Sequence, residues 1–357
     1  MAKVPPPEAH VERPGPAEFR DPFVRQEIRR AAIWIGMVLL VVGIIVLAAP
    51  LMLIVGGAVF AVLLDGGTRL LGRYLPIPRP WRLLLVILLG FGFIGWVGWF
   101  AGTTIAEQFE NLREVVSQQF ARLVQTIEDL GLVPAGQRTD FASQIMGSVG
   151  RLTTAVGSAI GAITGIIMMI VIGMFLAAEP KLYDRGLAWM LPLRLRKGFY
   201  TIADRVGFTL RRLLAGRLVG MLFEGIFTYV MLWIGGVPMA ALLGLVTGVL
   251  AFIPNIGAIV SGVLMVAVGF SAGFDKGVYA IFVYFFVQNI DGYLIVPYIA
   301  RRTVDLAPAL VLAFQLLMGA LFGILGVLFA DPILAALKVT LVEMSERGEA
   351  KVAKPPG

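Results

Sequence analysis

Long runs without any charged residue constrain the fold of this 357-residue chain more than any other feature. Each run is longer than the ~20 residues that a helix needs to cross a bilayer. A soluble protein with buried helices would need a polar face on each helix, and these runs have none. The sequence therefore predicts an all-α polytopic integral membrane protein. The runs are 31–64, 83–106, 152–178, 225–274 and 306–330.

The rarest residue types exclude several kinds of site. The chain has no cysteine and a single histidine, His10, in a proline-rich tail. Metal sites built from thiolate or histidine, and a histidine proton relay inside the membrane, are therefore excluded. We expect no cofactor beyond a coupling Na⁺ or H⁺. The net charge is +7, and the basic residues lie mainly between the apolar runs. In a membrane protein, Lys and Arg at such positions indicate which loops are cytoplasmic, so we expect no nucleic-acid partner.

Charge placement predicts the orientation of the chain. Residues 1–27 hold six prolines among charged residues and are expected to be a disordered cytoplasmic tail. Residues 28–106 follow as N-terminal transmembrane segments, with Pro50 dividing the first run into a full span and a shorter returning segment. Residues 179–217 carry nine basic and three acidic side chains, which favours the cytoplasmic side. We therefore expect a multi-pass protein of the bacterial cytoplasmic (inner) membrane with a cytoplasmic N-terminus.

Residues 107–151 differ from the rest because their six acidic side chains outnumber four basic ones. Apolar residues recur there at steps of three and four, which is typical of a helical stripe of heptad type. We expect an extracytoplasmic hairpin of amphipathic helices. The stripe either packs on itself or forms a subunit interface. Its members are Phe109, Leu112, Val116, Phe120, Leu123, Ile127 and Leu130.

The next segments alternate between membrane and surface. Residues 152–178 are expected to cross as one transmembrane helix. In 179–217, apolar residues between Phe199 and Leu213 share one helical face, so we predict a basic cytoplasmic amphipathic helix near anionic membrane lipids. Residues 218–340 form a C-terminal transmembrane region, and 341–357 form a polar tail.

Two apolar segments, 239–270 and 306–337, are too long for one span and marginal for two. Broken backbone persists in hydrocarbon only where protein or a wet cavity satisfies it, and paired Gly/Pro-interrupted segments point to a solute-binding site. We predict two broken or re-entrant helical hairpins whose tips meet near the membrane midplane. A kinked helix or a short extracellular loop at Pro254 is the alternative. The interrupting residues are Pro254, Asn255 and Gly257 in the first segment, and Gly319, Gly323 and Gly326 in the second.

Polar side chains inside spans are costly and usually functional. The candidates for binding a substrate or coupling ion are Glu224, Gln288, Asn289 and Asp291, together with the interrupting residues. A structural role is the alternative for both acids. Glu224 then pairs with Arg217, seven residues or two turns away, and Asp291 pairs with Arg301 or Arg302.

Two stretches carry a family resemblance. "GVPMAALLGLVTGVLAFIPNIGAIVSG" resembles the central motif of the autoinducer-2 exporter (AI-2E) family of bacterial permeases. "VQNIDGYLIVPYIARRTVDLAPALVLAFQLLMGALFGILGVLFADPILAALKV" is similar to its second motif, with a Gln, an acid–Gly pair, two prolines around a basic turn, and a Gly-rich run. The resemblance covers about residues 25–345. Asp291 stands where the family usually has Glu, and Asn255 where an aromatic residue is common.

The resemblance implies a secondary transporter of about seven or eight membrane segments. It also implies a homo-oligomer, of which a pentamer with elevator-like moving domains is one form. Activities proposed for the family are export of a quorum-sensing furanone signal and exchange of sodium or lithium for protons. We expect a transporter not driven by ATP, and an exporter rather than an importer, of a small polar or ionic solute such as a signalling molecule. A sodium-or-lithium/proton antiporter is the alternative.

Other functional classes lack their motifs. The chain has no G-x-x-x-x-G-K-[ST] phosphate loop, which disfavours ATP drive. It has no H-E-x-x-H pair, no cysteine and no histidine that could serve as a general base in the membrane. We therefore expect that the protein is not an enzyme. A membrane scaffold or regulatory protein that uses the 107–151 hairpin remains the alternative to transport.

Overall fold

The computed structural model describes residues 22–100, 159–253, 255–295 and 307–352, with six further residues between 114 and 125. Across these ranges the regular structure is helical and no strand occurs, which confirms the all-α prediction for this part of the chain. A π-helical turn, Asp291–Ile295, follows α9. The helices are α1 (Pro22–Val46), α2 (Ala48–Tyr74), α3 (Arg79–Phe100), α4 (Ala159–Ala178), α5 (Pro180–Trp189), α6 (Leu193–Ile234), α7 (Ala240–Leu250), α8 (Ile256–Ser271), α9 (Phe274–Ile290) and α10 (Pro308–Val352).

The chain divides into two compact units, residues 1–51 and 52–357, so α1 and the start of α2 belong to the first. The helical break in the first apolar run falls at Leu47 rather than at Pro50. Pro50 lies in the first turn of α2, where a missing N–H costs no helical hydrogen bond. The second segment is not the shorter one that we expected, because α2 has 27 residues against 25 in α1.

Four described helical segments are long and apolar enough to cross a membrane: Gln26–Val46, Ala48–Tyr74, Leu193–Ile234 and Pro308–Arg347. The pair formed by α4 and α5 would be a fifth, bent by 88°. The bend lies at Glu179 (φ −128°, ψ 61°), because the residue before a proline is driven out of the helical region. These segments support a multi-pass membrane protein, while seven or eight crossings stay a prediction.

The predicted apolar face from Phe199 to Leu213 and the span that follows it lie on one continuous helix, α6, of 42 residues, whereas the start of the predicted region 179–217 forms the separate helix α5. Proline stands before its first residue and is absent inside it, so no residue interrupts the hydrogen-bond ladder. The turn between α5 and α6 is closed by Arg196, whose guanidinium donates to the carbonyl oxygens of Trp189 and Leu191 at 3.2 and 3.1 Å. The other end of α6 is followed by Gly236, whose φ of 60° favours glycine.

Helices α6 and α7 cross at three glycines. A side chain at Gly248 would lie 2.9 Å from the Met221 carbonyl oxygen and 3.0 Å from the Cα of Gly225. One at Gly244 would lie 2.8 Å from the Gly225 carbonyl oxygen. Small residues four apart let membrane helices approach backbone to backbone. The crossing therefore holds α6 tightly against α7 at the position of Glu224.

Buried side chains of α6 to α9 form the largest described core. Val268, Ala280, Val283 and Leu232 have no accessible surface, so the four helices pack as one body. The core contains Leu232, Val237, Ala240, Leu242, Leu243, Met265, Val268, Ala280, Val283 and Val287.

The first interrupted segment breaks between Leu250 and Ile256, where α7 ends and α8 begins. Asn255, the last residue of the break, has a positive φ of 60°. Asparagine tolerates positive φ better than most residues. A side chain at Gly257 would overlap the Leu250 carbonyl oxygen, so only glycine lets the start of α8 pack over the end of α7.

The second interrupted segment reverses direction at Gly323, where φ is 62° and ψ is −146°. Gln315 and Asp331 are hydrogen bonded at 2.8 Å although sixteen residues separate them. On a straight helix they would be about 24 Å apart. Helix α10 is therefore a hairpin with legs 308–322 and 324–352, and its tip packs beside Met52 and Val55 of α2.

The second leg does not end at Asp331–Pro332, although proline disfavours a continuing helix. Pro332 lies inside the helix, which continues to Val352 through most of the predicted polar tail. Transmembrane helices tolerate proline where neighbouring groups satisfy the freed carbonyl. Beyond it, buried Glu343 binds Arg205 of α6 at 2.6 Å and Arg347 at 2.8 Å. These pairs hold the end of the leg against α6.

Candidate functional site

Two carboxyl groups meet between α6 and the π-helical turn. The side chains of Glu224 and Asp291 share a hydrogen bond, and Gln288 also bonds the Glu224 carboxyl. Glu224 is 8% exposed, so it lies in the protein interior. Asp291 lies over Gly220, one turn before Glu224, where a Cβ atom would be 3.8 Å from Asp291 Oδ1. Ionised carboxylates only accept hydrogen bonds, so this contact requires a proton on one of them.

Arg217 is the basic residue of this cluster. Its Nη2 donates to the Phe252 carbonyl oxygen at 3.2 Å, in the break that follows α7. The last carbonyls of a helix have no partner within it, and a guanidinium satisfies one here. Arg217 also interacts electrostatically with Asp331, Glu224 and Asp291. It therefore links the carboxyl pair of α6 and the π-helical turn to the α7–α8 break and to α10.

A chain of amide hydrogen bonds extends the site to the α10 hairpin. Asn255 Nδ2 donates to Gln315 Oε1 at 3.0 Å, and Gln315 Nε2 donates to Asp331 Oδ1 at 2.8 Å. Gln315 is buried, whereas Asn255 is exposed, so the polar network reaches the protein surface at the break. The network therefore joins the two interrupted segments.

The charge balance of the cluster decides what it can bind. Glu224, Asp291 and Asp331 surround one guanidinium, so full ionisation would leave two uncompensated negative charges among apolar helices. Uncompensated charge in such surroundings is strongly unfavourable. Within the described residues, no group of three or more acidic or histidine side chains has the arrangement of a metal site. The arrangement is suited to accepting a proton or a small cation.

The structure brings together only part of the set that the sequence predicts. Glu224, Gln288 and Asp291 form one contact group, and Asn255 joins it through α10. Asn289 is exposed and donates to the Phe285 carbonyl oxygen at 2.6 Å, away from this group. Pro254 lies outside the described residues. Arg301 and Arg302, the alternative partners of Asp291, also lie outside them.

The glycines take packing roles. Gly257 makes room for the Leu250 carbonyl, and Gly326 for that of Met318 across the hairpin. Gly319 faces Val327 on the opposite leg, and Gly323 makes the reversal. The first break contacts the hairpin at Gln315, which is eight residues and about 12 Å of helix from Gly323 and bonds Asp331 on the other leg. The break therefore meets the hairpin legs rather than its tip.

Sequence reasoning missed Gln315, Asp331 and the Phe252 carbonyl, and it treated Arg217 only as a partner of Glu224. Gln315 had a signal, because it is the only polar side chain in the run 306–330. Asp331 precedes a proline, and the residue before a proline is more typical of a helix end than of a helix interior. The Phe252 carbonyl had no side-chain signal, since backbone groups become available only where the helix breaks.

One stretch matches a hydrolase pattern. Residues 269–273, "GFSAG", fit G-x-S-x-G, in which the serine of a hydrolase sits on a strand-to-helix turn. Here Ser271 is the last residue of α8 and its hydroxyl donates to the Val268 carbonyl at 2.7 Å. The only histidine of the chain is His10. The match therefore reflects a helix end and carries no catalytic arrangement.

Comparisons with known proteins identify the family of this chain. The model of the AI-2E family transporter matches residues 34–346. "Putative transport protein YueF" of Bacillus subtilis is 25% identical over 304 residues, covering 78% of this chain and 82% of its own. "Putative transport protein YrrI" of the same organism is 23% identical over 281 residues, covering 74% and 78%. A "Putative transport protein" of Thermotoga maritima is 23% identical over 199 residues, covering 55% and 61%. The chain belongs to the AI-2E family of transporters.

Proposed function

We propose that this protein is a proton-coupled secondary transporter that exports a small polar or ionic solute, such as a signalling molecule, across the bacterial cytoplasmic membrane. The observation that carries the proposal is the hydrogen-bonded pair of Glu224 and Asp291, set among apolar helices beside Arg217. Ionisable groups inside membrane segments mark ion and substrate pathways. No ATP site is needed because the proton gradient supplies the free energy.

Arg217 gives the carboxyl pair two alternative states. When the pair holds one proton, Glu224 and Asp291 together carry one negative charge, and Arg217 interacts with both that charge and the Asp331 carboxylate. When the proton leaves, a second negative charge develops beside the guanidinium. Binding of a solute with cationic or hydrogen-donor groups compensates that charge, so solute and proton compete for the same carboxyl groups. Such competition is the elementary requirement of exchange.

The two interrupted segments supply the polar backbone for a solute. At the α7–α8 break the Phe252 carbonyl accepts a hydrogen bond from Arg217 rather than from a helical N–H. Asn255 adds an exposed amide at the same break. Broken helices near polar side chains are a common construction of solute sites in secondary transporters. We therefore place solute binding at the α7–α8 break between Arg217 and Asn255.

Exchange of sodium or lithium for protons is the second candidate function. The same carboxyl oxygens that release a proton are ligands suited to a hard cation. A proton is favoured as the coupling ion because the contact between Glu224 and Asp291 requires one. In both cases Asp291 is an ion-binding residue.

The assembly that we propose is a homo-oligomer. Val115, one of the described residues of 107–151, packs against the core of α6 to α9. The members of the predicted stripe lie outside the described residues, so a subunit interface formed by the stripe stays a prediction, and a pentamer is one such assembly. A scaffold protein without transport activity would form the same homo-oligomer but would show no solute flux.

Proteoliposomes that contain a trapped pH-sensitive dye test the proposal. An imposed pH gradient should collapse in the presence of wild-type protein when NaCl, LiCl or the furanone signal is added one at a time, and the active addition identifies the exchanged species. Asp291→Asn should abolish the response. Asp275→Asn is the matched control, because Asp275 is an exposed acid in the first turn of α9. Equal responses of the two variants would contradict proton coupling at Asp291, and no response from wild-type protein to any addition would favour the scaffold.

A further inference from the structure

The start of α3 and the end of α4 meet α2 at Asp65, outside the site described above. The uncharged part of α2 ends at Leu64, and that of α3 begins at Leu83. Helix α4 ends at Ala178. Arg79 connects all three, because its guanidinium donates to Asp65 at 3.2 Å and to the carbonyl oxygens of Ala177 and Ala178 at 3.0 and 3.3 Å. The meeting point therefore lies where apolar helices give way to charged residues, which is the level of a membrane–water interface.

Arginines outnumber acids at this point. Asp65 accepts hydrogen bonds from Arg69 at 2.7 Å, from Arg79 at 3.2 Å and from Arg211 of α6 at 3.2 Å. One carboxylate cannot neutralise three guanidinium groups, so these four side chains keep two positive charges, and Asp204, which interacts electrostatically with Arg211, offsets part of that excess. Each guanidinium carries more N–H donors than these contacts use. We call Asp65, Arg69, Arg79, Arg82 and Arg211 the Asp65 arginine cluster.

Arg82 adds a donor that lacks an acceptor. It lies one turn after Arg79 in α3, and its Nε is buried without a hydrogen-bond partner in the described part of the chain. A buried N–H without an acceptor is unfavourable unless a ligand or water supplies one. Its guanidinium lies against Gly72 of α2, where any side chain would overlap it. The packing therefore holds this cation between α2 and α3, one helical turn after Arg79.

Exposed aromatic residues flank the cluster. Tyr74 at the end of α2 is 78% exposed, and Trp81 in the first turn of α3 is 64% exposed. Tyrosine and tryptophan concentrate at membrane–water interfaces, at the depth of lipid headgroups. The first turn of α3 also presents the positive end of its helix dipole at this depth. The ligand that matches these features is an anion at the membrane surface.

We propose that the Asp65 arginine cluster binds a phosphate group, and that its occupant in the membrane is the headgroup of an anionic phospholipid. Phosphate oxygens suit the planar fork of arginine, which binds them through paired N–H groups. Basic pockets between membrane helices are known to hold anionic headgroups. The phosphate would neutralise the excess charge that α2, α3 and α6 contribute, and the lipid would hold these helix ends together.

Lipid titration of the purified full-length protein tests the site. Delipidated protein in detergent is titrated with phosphatidylglycerol or with phosphatidylcholine, and bound lipid is counted by native mass spectrometry alongside the melting temperature. Wild-type protein should bind phosphatidylglycerol in preference and gain thermal stability from it. Arg69→Gln with Arg82→Gln should weaken phosphatidylglycerol binding about 25-fold, since each basic residue near anionic lipid contributes a factor of about five.

Arg30→Gln is the matched control, because Arg30 is an exposed arginine of α1 that also pairs with an acid, Glu27, at 2.8 Å. It should leave phosphatidylglycerol binding unchanged. Arg69 is 66% exposed, so Arg69→Gln alone repeats the test if the double variant does not fold. Competition by inorganic phosphate at matched phosphate concentration would support the phosphate site and overturn the lipid as its occupant. Equal binding of both lipids, or equal loss in the Arg30 control, would overturn the site itself.

Discussion

The side-chain amide of Gln315 donates to Asp331 over 2.8 Å, and this contact between residues sixteen positions apart fixes the reversal of α10. The same amide group accepts a hydrogen bond from Asn255 in the α7–α8 break. One buried side chain therefore ties both legs of one interrupted segment to the tip of the other. Because Asp331 also interacts with Arg217, the contact extends to the Glu224–Asp291 pair. Substitutions of Gln315 should therefore affect the carboxyl groups of Glu224 and Asp291.

The first prediction concerns Gln315→Ala. The substitution removes both hydrogen bonds and leaves the Asp331 carboxyl without its amide donor. We expect a loss of about 1–3 kcal/mol in the free energy of unfolding and a reduced rate of coupled flux. Thermal unfolding in detergent and the proteoliposome assay measure the two effects. Leu316→Ala, at a neighbour that is 76% exposed, should change neither, and an equal effect at both positions would contradict the network.

The second prediction concerns the reversal at Gly323. Its φ of 62° with ψ of −146° is a conformation that residues with a side chain rarely adopt, although a Cβ atom there would meet nothing within 4 Å. Gly323→Ala should therefore cost about 1–3 kcal/mol through backbone strain alone. Gly186→Ala is the control, because that position in α5 is also open but helical. It should be neutral or stabilising by up to about 1 kcal/mol, and the prediction fails if the two variants unfold at the same temperature.

The third prediction concerns the crossing of α6 and α7. Gly248→Ala places a methyl group 2.9 Å from the Met221 carbonyl oxygen and 3.0 Å from the Cα of Gly225. Neither backbone can move without shifting Glu224, so we expect destabilisation of about 1–3 kcal/mol and weaker flux. Gly90→Ala in α3, where nothing lies within 4 Å, should be tolerated. Full activity and stability of the Gly248 variant would show that the helices are not in close contact.

The fourth prediction concerns Arg217 as the counter-ion of three carboxyl groups. Arg217→Gln leaves these groups without a positive charge and should destabilise the protein by about 3–5 kcal/mol. Adding Asp331→Asn removes one of the uncompensated carboxylates and should restore part of that loss. A double-mutant cycle on unfolding temperatures measures the coupling. Strictly additive effects would mean that the two side chains act independently.

The fifth prediction concerns orientation. The chain has no cysteine, so a single cysteine at position 118 or 197 reports its own accessibility. Gln118→Cys should react with an impermeant thiol reagent on cells with a permeabilised outer membrane, because we expect the acidic 107–151 segment to be outside. Lys197→Cys, in the basic first turns of α6, should react only after lysis. The opposite pattern would invert the predicted topology.

The sequence alone determined the class of the protein and the positions of its polar groups. Uncharged runs longer than a bilayer span leave few options besides transmembrane helices, because backbone groups in hydrocarbon must be paired within the segment. The same argument located the breaks after α7 and at Gly323, whereas Pro50 and Pro332 lie inside their helices. Glu224 and Asp291 were conspicuous because charge is rare in such runs. These inferences rest on the local chemistry of each segment and do not require knowledge of what that segment packs against.

Tertiary structure decided which of these groups meet. No spacing rule could place Gln315 against both Asn255 and Asp331, because that contact depends on the reversal at Gly323 and on the packing of α10 beside the break. The arginines around Asp65 come from three helices, so the sequence could not predict that they converge on one carboxylate. Local sequence fixes where a helix can form or fail, whereas contacts between distant polar groups depend on how apolar faces pack. Glycine contacts set that packing here, and glycine has no side chain from which a partner can be inferred.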